Sequence, residues 1–236
     1  MFQIFINFLK KKWINARRYN FIKGKPSTKN LIRLLNENKT NQLTLVVHSE
    51  DVDYIKFFPN SYTVTKRKEI PADFHTDIFY KGLKDIKDGS YNCILCTGLL
   101  EHIPEPQNLI DDFYRILKPK GKLIISASSV FSIHEGPNDF FHFTHYSFLG
   151  LFKKWNNYDF VRGSSSPFET IGILLNRILI QCDIFPPIRP FIELLSLTIP
   201  YLDKFINQQY DCVGYKSESR KIDSMLPSNI QAVFYK

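Results

Sequence analysis

The stretch Tyr91–Ser126 limits the fold of this chain more than any other part of the sequence. It opens on the apolar run Tyr91–Thr97, which has no helical period and is typical of a strand buried on both faces. An amphipathic helical pattern follows, and a second apolar run covers Lys122–Ser126. The inward positions of the helical pattern are Leu109, Ile110, Phe113, Ile116 and Leu117. Two buried strands joined by one helix make a βαβ unit, so we predict parallel strands and a right-handed crossover.

Two turns in this stretch resemble those of a known family. The first strand ends in Thr97-Gly98-Leu99-Leu100-Glu101-His102-Ile103, and the helix ends in Arg115-Ile116-Leu117-Lys118-Pro119-Lys120-Gly121. At this spacing, the two turns resemble the second half of a class I S-adenosylmethionine-dependent methyltransferase. The resemblance implies an α/β fold with a Rossmann-like, seven-stranded mixed sheet whose last strand is antiparallel. It also implies S-adenosylmethionine as the cofactor.

The first half of the chain, which holds the cofactor in this family, departs from the family pattern. In a nucleotide-binding α/β fold, the loop after the first strand carries glycines that let the backbone approach the ligand. Here that strand is Leu43–Val47, and the following loop contains no glycine. The resemblance places cofactor contacts at His48, Glu50 and Asp51. The residues themselves also suit a helix start, since acidic groups are favourable in a first helical turn.

The other cofactor positions agree with the family in part. The second strand, Ser61–Thr65, is followed by Lys66, where the family has a carboxylate that accepts the ribose hydroxyls. Asp77, followed by Ile78, matches the aspartate that faces the adenine amino group. The resemblance also places the backbone near Thr97 and Gly98 along the methyl-donor site.

A polar loop follows the second strand of the central unit, at the edge where α/β sheets bind ligands. Its H-E-x-P-x-D-F-F-x-F-T pattern resembles the substrate loop of methyltransferases found among surface-polysaccharide genes. That resemblance implies substrate contacts from Asp139, His142 and Thr144, with Glu101 contributing from the earlier turn. The alternative is a solvated loop whose polar residues cap helices or turns.

Two histidines are the candidates for a general base in methyl transfer, His102 in the turn after the first strand of the unit and His134 in the polar loop. For Glu101 and His102 the alternative is helix capping beside a buried strand end. The sequence predicts no metal site, because no H-x-x-x-H lies on one helix face and no cysteine is near the histidines.

Two strongly apolar segments, Thr170–Phe185 and Phe191–Phe205, flank a proline-rich turn and predict an α-helical hairpin inserted before the last strand. Apolar residues surround both helices, so the core, a second copy of the chain or a membrane surface must cover them. A homodimer through residues 170–205 is one alternative, and peripheral membrane contact is another.

The chain is expected to contain an N-terminal helical segment over residues 1–40. A methyltransferase-like domain follows over 41–236, with a helical insertion at about 168–208. Residues 1–25 combine aromatic and basic residues, which suits either a lid helix or an amphipathic helix on an anionic membrane surface.

Charge and cysteine usage narrow the compartment and the partners. The net charge of +8 permits nucleic acid, but the N-P-P-Y-type turn of base-flipping methyltransferases is absent, so nucleic acid is not the favoured partner. Cys93 and Cys96 lie three apart on a strand and point to opposite faces, so they cannot chelate one ion. We expect a reducing, cytoplasmic location, with the inner membrane face as the alternative.

Three functions are consistent with these observations. The first is methyl transfer from S-adenosylmethionine to a small molecule or glycan precursor. The second is a non-catalytic relative that acts as a binding or regulatory subunit, which the missing glycines and Lys66 favour. The third is a different ligand in the same cleft, with Lys66, Arg67 and Lys68 pairing with a phosphate.

Overall fold

A computed structural model describes residues 26–47, 52–155, 157–209 and 225–236. The predictions made for residues 1–25 lie outside the described residues. The proposed cofactor contacts His48, Glu50 and Asp51 also lie outside them, in the loop that lacks the glycines of the family.

Seven strands and six α-helices make up the described part of the chain. The strands are β1 (Thr44–Val47), β2 (Ser61–Thr65), β3 (Phe74–His75), β4 (Tyr91–Thr97), β5 (Leu117–Ser128), β6 (Asn157–Gly163) and β7 (Asn229–Tyr235). The helices are α1 (Pro26–Asn38), α2 (Ile78–Lys81), α3 (Pro106–Ile116), α4 (His145–Leu151), α5 (Pro167–Gln181) and α6 (Arg189–Thr198). Short 3₁₀ helices cover Val52–Phe57, Leu100–His102 and Ile199–Phe205.

The strands form one sheet in the order β3-β2-β1-β4-β5-β7-β6. Pairing is parallel from β3 through β5, whereas β7 runs antiparallel to both β5 and β6. The predicted mixed sheet with an antiparallel last strand beside β5 is confirmed. The strand order reverses between β1 and β4, so a crevice opens outside the carboxyl ends of these strands, where such folds bind ligands.

The central strands are buried on both faces, as their unbroken apolar runs predict. Cys93 packs in the core cluster on one side of the sheet, with Leu34 and Val46, and Cys96 packs in the cluster on the other side, with Leu45. The prediction that the two thiols face opposite ways is confirmed. They contribute to packing on separate faces and form no chelating pair.

The βαβ unit that the sequence indicates is present, with one difference at its second turn. β5 begins at Leu117, which pairs with Tyr91, and the register then shifts so that Lys122 pairs with Cys93. The intervening residues leave the ladder and pack closely. A Cβ on Gly121 would lie 2.8 Å from the Lys118 carbonyl oxygen, so the turn admits only glycine there. Because these residues leave the ladder, the apolar pattern predicts that β5 begins at Lys122, although its pairing with β4 already begins at Leu117.

The predicted helical hairpin is also present, formed by α5 and α6 with the following 3₁₀ helix. Its inner face is tight, since a Cβ on Gly172 would lie 2.8 Å from the Ser196 carbonyl oxygen. Its outer face leaves large apolar side chains exposed. These include Phe185, Phe191, Leu194, Leu197, Tyr201 and Phe205. The core therefore covers only part of the apolar surface of the hairpin, and a second copy or a membrane surface remains a prediction for the rest.

The structure contains no helix, among the residues it describes, that is both long enough and apolar enough to cross a bilayer.

Candidate active site

The candidate site lies where β4 and β5 end, beside the crevice in the sheet. Gly98 follows β4 with a φ of 60°, a conformation that glycine adopts without strain. Its N–H donates to the Ser126 carbonyl on β5, across 3.0 Å. Among the described residues, and apart from the two chain neighbours of Gly98, no atom lies within 4 Å of the point where a Cβ would stand, so this part of the structure leaves room for a ligand to approach the backbone closely.

Glu101 lies in the short 3₁₀ helix after Gly98 and is only 1% exposed. Its Oε1 accepts hydrogen bonds from the hydroxyl of Ser128, at 2.7 Å, and from the backbone N–H of Ser128, at 3.2 Å. Its Oε2 is buried and has no hydrogen-bond partner in the described part of the chain. The carboxylate is therefore anchored at one oxygen and available at the other.

His102 is also buried, and its orientation is set by the polar loop. The ring Nδ1 lies 2.8 Å from the backbone oxygen of Asn138. A carbonyl can only accept a hydrogen bond, so Nδ1 carries the hydrogen, and in the neutral ring Nε2 presents its lone pair. The ring stacks on Phe79 and meets the ring of His134 edge-on, with 4.8 Å between the two centroids.

The polar loop is organised around the buried carboxylate of Asp139, whose side chain is 2% exposed. One oxygen accepts the backbone N–H of His134 at 2.8 Å, and it lies 3.3 Å from His134 Nδ1 and 3.6 Å from His142 Nε2. The other oxygen is buried without a hydrogen-bond partner among the residues described. The alternative of a fully solvated loop does not describe this part of the chain, because the side chains of His134 and His142 both approach the buried carboxylate of Asp139.

Most of the predicted site residues are brought together by the fold. One ligand atom from each of Glu101, His102 and His134 lies within 4.8 Å of the others, and the same is true of His134, Asp139 and His142. The sequence argument against a metal site considered spacing within one segment, whereas the first of these groups combines side chains from two segments. Thr144 is placed differently, as the N-cap of α4, where its hydroxyl accepts the N–H of Ser147. We therefore leave Thr144 out of the site proposed below.

The residues expected at the adenine end lie at the start of α2. Asp77 is exposed, whereas Ile78 is 1% exposed and its N–H donates to the Thr76 carbonyl at 2.9 Å. At the end of β2, the Nζ of Lys66 lies 3.2 Å from the centroid of the Phe79 ring. The exposed carboxylate and the open backbone at Gly98 fit S-adenosylmethionine, and the usual ribose carboxylate is replaced by a lysine that stacks on an aromatic ring.

Two contacts of the site were not predicted from the sequence. Ser128 positions Glu101, although the only signal is a hydroxyl residue at the end of a buried strand. Arg67, just after β2, forms an ion pair with Glu135 of the polar loop at 3.5 Å and so connects the two sides of the crevice.

A separate cavity of about 450 Å³ lies beside the beginning of β4. It is lined by Asp73, His75 and Tyr91 among others, and no sequence pattern predicted it.

Comparisons with known proteins agree with this fold. Residues 28–165 match the model of a family described as a methyltransferase domain. A ubiquinone biosynthesis O-methyltransferase of Xanthomonas oryzae pv. oryzae is 30% identical over 79 residues, which cover 32% of this chain and 33% of that protein. The corresponding protein of Xanthomonas axonopodis pv. citri is 28% identical over the same length. The match thus spans about a third of the length of these curated relatives.

Solved structures show the same fold at low sequence identity. A SAM-dependent methyltransferase from Archaeoglobus fulgidus superposes with a TM-score of 0.55 at 12% identity, covering 91% of this chain and 96% of that one. A SAM-dependent methyltransferase from Thermotoga maritima gives a TM-score of 0.54 at 12% identity and covers both chains fully. These likenesses show that the chain has the predicted fold.

Proposed function

This chain belongs to the methyltransferase-domain family, and we propose that it transfers a methyl group from S-adenosylmethionine to an oxygen of a small molecule or glycan precursor. The observation that supports this most directly is the cluster of Glu101, His102 and His134 beside the open backbone at Gly98. The partial likeness to O-methyltransferases favours oxygen over nitrogen as the acceptor atom.

The cofactor contacts that we propose lie at both ends of the crevice. Asp77 and the backbone at Ile78 face the adenine end, and the backbone of Thr97 and Gly98 lines the methyl-donor end. His48, Glu50 and Asp51 complete the contacts from the loop after β1. When it is bound, S-adenosylmethionine supplies an electrophilic methyl carbon on a positively charged sulfur.

The chemistry that this chain adds is the binding of the acceptor and the removal of its proton. A hydroxyl group is a better nucleophile once its proton is taken, and an imidazole nitrogen with a free lone pair can take it. His102 presents such a nitrogen, because its Nδ1 is engaged with Asn138. Glu101 and Asp139 each offer a buried oxygen that can accept a hydrogen bond from the acceptor, and His142 lies beside the other oxygen of Asp139.

The decisive test is calorimetric titration of the purified chain with S-adenosylhomocysteine. We expect saturable binding that weakens at least tenfold in Asp77→Ala. Asp85→Ala removes a carboxylate from the loop after α2, away from Gly98, and should bind as the unmodified chain does. Absence of binding at millimolar ligand would reject the methyltransferase proposal and favour the non-catalytic alternative. Inorganic phosphate that binds instead, and is lost in Lys66→Met, would favour the third function.

Assembly and location remain predictions. Sedimentation velocity measures self-association through residues 170–205. Leu197 lies on the exposed face of the hairpin, so Leu197→Glu should disrupt such a dimer. Membrane contact is to be read by flotation with anionic liposomes, comparing the full chain with a chain lacking residues 1–25. A monomer that does not float would remove both predictions. The division into a segment at 1–40 and a domain at 41–236 also stays a prediction.

A further inference from the structure

We propose that Glu101, His102 and His134 form a binding site for a divalent transition-metal cation of the zinc type. The site lies beside the proposed acceptor position. The role we give the cation in methyl transfer rests on the proposed function, whereas the binding of the cation does not.

The first argument is the unsatisfied oxygen of Glu101. The side chain is 1% exposed, and its Oε2 has no hydrogen-bond partner within the described ranges. A buried carboxylate is costly unless it is paired with a positive charge or coordinates a metal. Within the described residues, neither His102 nor His134 donates a hydrogen bond to this oxygen, so a bound cation provides the missing partner.

The second argument is the orientation of the two imidazoles. Histidines that bind a metal through one nitrogen usually donate the hydrogen on the other to a carbonyl or a carboxylate. His102 Nδ1 faces the Asn138 carbonyl at 2.8 Å. His134 Nδ1 faces the Ser132 carbonyl at 3.1 Å and Asp139 Oδ2 at 3.3 Å. Both rings therefore have Nδ1 engaged and Nε2 available with its lone pair.

The third argument is the support of the carboxylate ligand itself. Oε1 of Glu101 is held by both the hydroxyl and the N–H of Ser128, which leaves only Oε2 for a cation. The ligand atoms of the three side chains already lie within 4.8 Å of one another. Ligands of a tetrahedral zinc ion lie roughly 3.3 Å apart, so small side-chain rotations complete the site.

The donor set indicates the class of cation. Two imidazole nitrogens and one carboxylate oxygen suit zinc and neighbouring transition metals better than magnesium or calcium, which prefer oxygen ligands alone. Three protein ligands leave a tetrahedral position open, as catalytic sites require. The second grouping, His134 with Asp139 and His142, is less suited, because the Asp139 oxygen nearest to both histidines already accepts the backbone N–H of His134 at 2.8 Å and His142 is exposed.

The open position suits an oxygen of the methyl acceptor. A hydroxyl bound there loses its proton to water more readily, because the cation stabilises the resulting negative charge. The oxygen then forms a bond to the methyl carbon as the carbon–sulfur bond breaks, and that electron pair stays on the sulfur. In the metal-loaded protein, the imidazole lone pairs bind the cation and cannot accept a proton. The cation, and not a histidine base, then promotes loss of the proton from the acceptor hydroxyl.

The test is titration of the metal-free full chain with Co²⁺, which reports tetrahedral nitrogen and oxygen ligands by its visible absorption, followed by competition with Zn²⁺. We expect one equivalent to bind and this signal to be lost in His102→Gln, His134→Gln and Glu101→Gln. Gln at position 101 can still accept from Ser128, so that variant separates loss of the ligand charge from loss of the fold. Circular dichroism of each variant verifies folding, and His134→Gln, at the most exposed of the three sites, remains informative if another variant fails to fold.

Two controls make the outcome specific. His75 belongs to neither group of possible metal ligands, and its Nε2 lies 3.0 Å from the Ile70 carbonyl oxygen. His75→Gln should therefore bind Co²⁺ as the unmodified chain does. His142→Gln should also retain the signal. Absence of stoichiometric Co²⁺ binding, or loss of binding in His142→Gln with retention in His102→Gln, would overturn the proposed site. S-adenosylhomocysteine binding measured in the presence of EDTA distinguishes failure of the metal site from failure of the methyltransferase proposal.

Discussion

Glu101 and Ser128 connect the turn after β4 to the end of β5 through two hydrogen bonds to the same carboxylate oxygen. The Ser128 hydroxyl donates at 2.7 Å and its backbone N–H at 3.2 Å. Both residues are nearly inaccessible to solvent. The contact with Ser128 on β5 therefore also determines where the second carboxylate oxygen of Glu101, Oε2, lies.

Replacing Ser128 by alanine removes the shorter of the two bonds. A hydrogen bond to a buried charged group contributes about 2 kcal/mol, so Ser128→Ala should lower the free energy of unfolding by about that amount. Metal affinity should also fall roughly tenfold to a hundredfold, since the carboxylate is no longer held in place. Urea unfolding and Co²⁺ titration measure the two effects. Ser126→Ala, on the same strand, is the control and should change neither quantity substantially.

Gly98 and Gly89 form a matched pair that separates backbone strain from ligand contact. Both have positive φ, of 60° and 59°, and in the part of the chain that the structure describes neither has a non-neighbouring atom within 4 Å of a Cβ position. Alanine at either position should destabilise the fold by about 1 kcal/mol through the left-handed backbone. Only Gly98→Ala should weaken S-adenosylhomocysteine binding in calorimetry, because Gly89 lies before β4 and Gly98 after it. Equal weakening in both variants would contradict the placement of the cofactor at Gly98.

Arg115 joins α3 to the loop that precedes β4. Its guanidinium donates to the carbonyls of Leu83, at 2.9 Å, and Ile86, at 2.7 Å, and to the carboxylate of Asp112, at 2.9 Å. Arg115→Met keeps the aliphatic stem and leaves these acceptors unpaired, so unfolding should require about 2 kcal/mol less free energy.

The comparison for Arg115 is a solvent-exposed arginine in a simple ion pair. Arg33 contacts Glu37 one turn away, and its side chain is 70% exposed. Such pairs contribute well below 1 kcal/mol, so Arg33→Met should be close to neutral in the same denaturant experiment. A similar loss in both variants would show that the Arg115 network adds no more than a surface pair.

The thiols of β4 should be unreactive although they form a C-x-x-C sequence. Burial raises the pKa of the Cys93 thiol to about 11 and raises the pKa of Cys96 further. Cys182 is exposed. Since the thiolate is the reactive form, iodoacetamide at pH 8 should modify Cys182 and spare the two β4 thiols until the chain unfolds. Peptide-level mass spectrometry measures this, and early modification of Cys96 would contradict its burial.

Stability should fall at alkaline pH through Tyr235. Burial, and then the hydrogen bond that its hydroxyl donates to Asp159, raise the pKa of Tyr235 to about 12. A raised pKa means that the folded chain holds this proton more tightly than the unfolded chain. The stabilisation is complete below about pH 10, the ordinary value, and is lost as the pH rises towards 12. Tyr235→Phe should flatten this part of the stability curve, whereas Tyr201→Phe, at an exposed position, should leave it unchanged.

The sequence by itself determined the sheet and the family. The strands β2 and β4 match their predicted bounds, and the β5–β7 pairing agrees with the predicted antiparallel last strand. These features could be predicted because apolar periodicity and turn residues act locally, within one strand or one helix, and are therefore visible along the chain.

The tertiary structure alone decided how the candidate site residues are arranged. No local pattern relates Glu101 and His102 to His134, which lies in another segment, yet the end of β5 brings the polar loop over the turn after β4. Thr144 shows the opposite case, since a residue with a plausible substrate role in the sequence is used as a helix cap. The contacts that position a site are long-range, and their geometry depends on how the strands align in the sheet.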